Sequence, residues 1–129
     1  MEETYTVPVA EADRIKAGLA IHLVAARTGA RADQMANPRL GPVRPRGRGA
    51  RLDPQTCRAR WLAMYLAHIS FGWTLERVGH VFGLNRATAG TACRWAEDER
   101  DRPAIDDLLS QLETLIQSLY DAPRCEVRE

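Results

Sequence analysis

The chain has 129 residues, a formal net charge of +1 and an apolar fraction of 45%. That length accommodates one domain, or one domain with tails, and a modest core, and the near-neutral balance says nothing about a partner. No apolar run is long enough to span a membrane and no secretory leader is recognisable, so a cytoplasmic, nucleoid-associated protein with no membrane partner is expected.

Residues 1–10 contain Pro8 and read as a loose tail. A helix is predicted from Glu11 to Arg27, with Ile15, Leu19, His22 and Leu23 on one stripe that Ala12 and Ala26 extend. His22 is expected to be partly buried there. Thr28 and Gly29 end the helix, and residues 31–36 allow one or two further turns before Asn37-Pro38. Residues 37–52 alternate Pro and Gly too closely for regular structure. From Arg39 to Arg60 the chain carries seven arginines against the single acid Asp53, so this stretch reads as a flexible basic loop.

Within that loop, Arg46-Gly47-Arg48 resembles the core of an A/T-hook, in which glycine lets the backbone sink and both guanidinium groups reach the minor-groove floor. The hook motif ends in Pro, whereas Gly49 stands here. The simpler alternative is an arginine-rich linker that touches phosphates in a salt-sensitive way.

Asp53-Pro54 has the form of a helix start, Asp as N-cap and Pro at the first helical position. The helix is predicted to run to about Ser70, with Ala59, Leu62, Ala63, Leu66 and Ile69 as its core stripe. Met64 and Tyr65 flank the stripe, and Arg58 and Arg60 near its start are candidates for phosphate contact.

The segment 74–97 reads as two short helices joined by a tight turn. Leu75, Val78 and Phe82 make one apolar face, Thr74 can cap the first helix, and Gly83 stops it. Asn85 can cap a second helix with Ala89, Ala92, Cys93 and Ala96 inside and Arg86, Thr88, Thr91 and Arg94 outside. An apolar support helix, a turn with glycine and a second helix bearing arginine and threonine is the pattern of a DNA-binding helix-turn-helix. Arginine can donate two bonds to guanine N7 and O6, and threonine can meet base edges or the thymine methyl. The first turn of the second helix, Asn85 to Thr88, also suits a phosphate.

A final amphipathic helix is predicted from Pro103 to about Tyr120, with Ile105, Leu108, Leu109, Leu112, Leu115, Ile116 and Leu119 at threes and fours. Intramolecular packing is its expected role; a seam for self-association is the alternative. From Glu97 onward ten acids face four arginines. A basic middle and an acidic end imply one face for an anionic ligand. Residues 122–129 complete the chain as a tail.

The three cysteines, Cys57, Cys93 and Cys125, are widely spaced and suggest neither a zinc knuckle nor a disulfide framework. His22, His68 and His80 lack a nucleophile partner or metal spacing. No cofactor and no enzyme activity are expected. Trp61, Trp73 and Trp95 read as packing residues.

Three blocks resemble the C-terminal DNA-binding domain of the bacterial replication initiator DnaA: Arg60-Trp61-Leu62-Ala63-Met64-Tyr65-Leu66-Ala67, then Leu75-x-x-Val78-Gly79-x-x-Phe82-Gly83, then Ala92-Cys93-Arg94. The resemblance covers about residues 15 to 119 and is strongest over 58–96. Residues 67–73 and 97–104 look closer still to small stand-alone α-proteobacterial proteins that carry this domain without an ATPase module. The resemblance implies an all-α, helix-turn-helix, Trp-repressor-like domain of about five helices over residues 11–121, with the basic loop before the long helix. It also implies binding of double-stranded DNA by a transcriptional regulator. Arg46 or Arg48, with Arg51 beside them, would occupy the minor groove, and Asn85, Arg86, Ala87 and Thr88 would stand where the family reads the major groove.

Only Thr88 of those four is identical to the family pattern. Arg86 replaces a histidine, Ala87 replaces a base-reading threonine, and the turn is one residue shorter, which argues against recognition of the DnaA box. No phosphate-binding loop G-x-x-x-x-G-K-[ST] is present, so ATP-driven initiation is not expected of this chain. Among similar small proteins are activators of phage-like or gene-transfer-agent clusters. The competing reading is a protein-interaction module or replication-linked accessory factor that docks on DnaA or RNA polymerase through residues 103–120.

Overall fold

The computed structural model describes residues 8–36, 54–123 and 127, and every regular element among them is an α-helix. In chain order these are α1 (Glu11–Thr28), α2 (Ala32–Met35), α3 (Pro54–Ser70), α4 (Leu75–Val81), α5 (Arg86–Glu99) and α6 (Pro103–Asp121). The chain is thus all-α, with five substantial helices and the single turn α2. The basic loop, including Arg46, Arg48 and Arg51, and the expected cap Asp53 lie outside the described residues.

Local chemistry accounts for four helix starts. The Thr74 side chain accepts from the Arg77 backbone N–H, and the Asn85 side chain accepts from that of Thr88; each satisfies a donor that the first helical turn leaves open. Pro54 and Pro103 occupy first helical positions, where the missing N–H costs nothing.

The helix α3 is the hub, in contact with α1, α2, α4, α5 and α6. Its buried residues therefore run almost around its circumference, from Thr56 and Ala59 through Leu62 to Ala67. Three expectations are corrected. Ile69, expected in the core stripe, is 38% exposed near the end of the helix. Met64 and Tyr65 do not flank a stripe but are enclosed, because helices pack on more than one side. Arg60 is only 8% exposed, so its guanidinium is not presented for phosphate contact, whereas Arg58 is exposed.

The helix α1 is also turned from the predicted stripe. Its buried residues are Ala17, Ala20, Ile21 and Val24, while Ile15 is 67% exposed and His22 is exposed too. Spacing by threes and fours supports either face. The helix α1 packs against α3, and that packing selects the face.

Polar contacts fix the outer helices. Arg77 on α4 donates from Nε and Nη2 to the carboxylate of Asp13 on α1, at 3.1 and 2.7 Å. Arg100, at the end of α5, donates to Asp106 and Glu113 of α6 at 2.7 and 2.6 Å, and to the Tyr65 hydroxyl of α3 at 3.1 Å. Tyr65 in turn donates to Glu97 at 2.6 Å. Arg27 donates to Gln111 at 2.6 Å, and the Lys16 ammonium lies 5.7 Å from the Tyr120 ring centre. The helices α1 and α6 therefore run side by side in opposite directions. No helix among the described residues is long and apolar enough to cross a membrane.

Candidate nucleic-acid interface

The site is built on α4, α5 and the four residues between them. Val78, Val81 and Phe82 are buried against the core and seat α4 as a support. Gly83 then adopts φ +75°, which glycine reaches without the Cβ penalty other residues meet, and the chain reverses. Leu84 N–H bonds back to the Gly79 carbonyl at 2.7 Å. Asn85 caps α5, and α5 leaves the turn.

Gly79 sets how close the two helices come. A Cβ on Gly79 would lie 2.7 Å from the carbonyl carbon of Asn85 and 3.2 Å from the Arg86 nitrogen. Both are backbone atoms that cannot swing aside, so only glycine permits this approach. Gly79 lies in the block Leu75-x-x-Val78-Gly79-x-x-Phe82-Gly83, whose spacing carries no hint that the residue touches the start of α5.

The two faces of α5 divide as their side chains predict. Ala89, Gly90, Ala92, Cys93 and Ala96 are buried, and the cysteine behaves as a small core residue whose thiol burial pushes up to about 11. Asn85, Arg86, Ala87, Thr91 and Arg94 are exposed, and Thr88 is half-buried. Arg94 Nη2 donates weakly to the Thr91 hydroxyl at 3.5 Å, so those two side chains lie together on the outer face. One carboxylate among the described residues stands within ion-pair range of Arg86: Glu76, on α4, at 3.8 Å from Arg86 Nε.

The structure therefore brings Asn85, Arg86, Thr88, Thr91 and Arg94 onto one presented helix. It removes Arg60 from the set, and Arg46, Arg48 and Arg51 fall outside the described residues. Glu76 is the neighbour that sequence reasoning passed over. Its signal was available in principle, since residues 76 and 79 share a helix face at a spacing of three, but which element that face meets is a tertiary fact.

Trp61 and Trp95 meet edge to face at 5.8 Å between α3 and α5, and Trp73 is buried. All three are packing residues, as expected. No group of His, Cys, Asp or Glu among the described residues could hold a metal ion. The helix α6 buries Leu109, Leu112 and Ile116 but leaves Leu115, Leu119 and Tyr120 45%, 55% and 49% exposed. Comparison with protein-family models, with curated proteins and with solved structures found no match.

Proposed function

We propose that the chain binds double-stranded DNA sequence-specifically and serves transcriptional control, with α5 as the element that enters the major groove. The observation that carries this reading is the division of α5. A sealed face of Ala and Cys anchors it, and an outer face presents Arg86, Thr91 and Arg94. A helix held rigidly from behind, with forked donors on its free face, is what reading base edges requires. The likeness to the DnaA DNA-binding domain supports the same function, and the departures at Arg86 and Ala87 point to a different target sequence.

In this reading Arg86 donates to a purine edge, and Thr88 and Thr91 meet bases or backbone. Asn85 caps the helix, and Arg94 contacts the next phosphate or base. Arg58 adds a phosphate contact, and Arg46, Arg48 and Arg51 hold the adjacent minor groove or its phosphates. Selection of bound duplexes from a random pool, followed by titration, tests it. Arg86→Ala should lose about 1–3 kcal/mol on the selected site and relax one base position. Unchanged affinity of that variant, or no enrichment of any sequence by the parent protein, would overturn the assignment.

A second reading rests on α6. Its exposed Leu115, Leu119 and Tyr120 would serve a protein contact, either with a second copy or with a partner. Light scattering across a concentration series reads self-association directly, and a monomer at every concentration removes that half of the reading.

A further inference from the structure

Building on the DNA-binding reading, we propose that Glu76 is a positioning residue that aims the Arg86 guanidinium at a base and penalises binding to backbone alone. Three observations carry it. The close approach at Gly79 brings the face of α4 that bears Glu76 against the first turn of α5. Glu76 Oε2 lies 3.8 Å from Arg86 Nε, beyond hydrogen-bond length but within charge attraction. Both side chains are mostly exposed, 57% for Glu76 and 66% for Arg86, on the side of the molecule that presents Thr91 and Arg94.

A pair so exposed contributes little to stability in water, so its consequence is for orientation. With the carboxylate on the Nε side, Nη1 and Nη2 remain as the forked pair for guanine N7 and O6. Expulsion of water in a groove strengthens the pairing, because the local dielectric falls. The same carboxylate repels phosphate oxygens. A protein seated on the backbone with Arg86 off a purine would hold Glu76 near phosphates without compensation, so the residue sharpens discrimination at a cost in overall affinity.

The test uses the full chain, duplexes selected by the parent protein, the single-base variants of the selected site and an unrelated duplex. Glu76→Gln keeps size and removes charge. It should bind the unrelated duplex several-fold more tightly while losing about tenfold in discrimination at the one base pair that Arg86→Ala also relaxes. The double variant should lose no more there than Arg86→Ala alone, since Glu76 acts through Arg86. Full discrimination at that base pair in Glu76→Gln would overturn the proposal, as would a loss at a different base pair, which would make Glu76 a reader in its own right. Failure of the parent protein to select any duplex would instead sink the DNA reading beneath it. Circular-dichroism melting of each variant separates these outcomes from unfolding.

Discussion

Arg77 holds Asp13 with both arms of its guanidinium, at 3.1 and 2.7 Å, across 64 residues of sequence. The contact ties α4, against which α5 is seated, to α1. Arg77 also lies 4.9 Å from the ring centre of buried Trp73, so one side chain bridges an ion pair and an aromatic face. The hydrogen bonds from Arg77 hold the Asp13 carboxyl below its ordinary value of 3.8, against the opposing effect of burial.

The acid limb of stability follows from that shift. A carboxyl whose folded pKa is depressed contributes stability above its unfolded value and loses it as pH falls through the folded value. Asp13→Asn should remove that part of the acid dependence below about pH 4. The Asp13–Arg77 coupling, read by a double-mutant cycle at neutral pH, should be about 1 kcal/mol, modest because Arg77 remains partly exposed. An unchanged acid limb in Asp13→Asn would exclude the contact.

Glycine replacements should separate by position. Gly79→Ala forces a methyl onto the backbone at the start of α5 and should destabilise by about 1–3 kcal/mol. Gly18→Ala, where a Cβ meets nothing within 4 Å, should stabilise by about 0.5–1 kcal/mol, since alanine suits a helix interior better. Thermal melting of both variants reads the opposite signs.

The hub at Tyr65 supplies an alkaline limb. Burial, and next the bond to Glu97, push the Tyr65 hydroxyl up to about 12 from 10.0. A raised folded pKa means stability that is fully present below the unfolded value and lost as pH climbs towards the folded one. Unfolding titrations should show this loss between about pH 10 and about pH 12, and Tyr65→Phe should abolish it. The same variant should cost about 1–2 kcal/mol at neutral pH, because Glu97 and Arg100 each lose a partner.

Arg58 and Arg60, two residues apart, should behave differently. On the DNA-binding reading, Arg58→Ala weakens binding to all duplexes alike and lowers the salt slope by about one. Arg60→Ala should leave the slope intact and instead reduce stability by about 2 kcal/mol, the consequence of emptying a buried site. Gel shifts over a salt series and denaturant melts distinguish the pair.

Periodicity and capping chemistry were enough to locate α1 and α3 to α6 within a residue or two, because turn residues and N-caps act locally. They also placed the inner face of α5 correctly, since a row of Ala and Cys opposite Arg and Thr has one sensible orientation in water. The α1 stripe failed for the opposite reason. Apolar residues lie on two of its faces, and only the approach of α3 decided between them.

Residue identities and their order along the chain thus determined an all-α protein with a short pair of helices presenting arginine and threonine. Tertiary structure alone decided that Arg60 is enclosed while Arg58 is not, that Asp13 meets Arg77, and that Glu76 stands beside Arg86. Those outcomes depend on which helix faces meet in space, and pairings between residues distant in sequence leave no periodic trace in the chain.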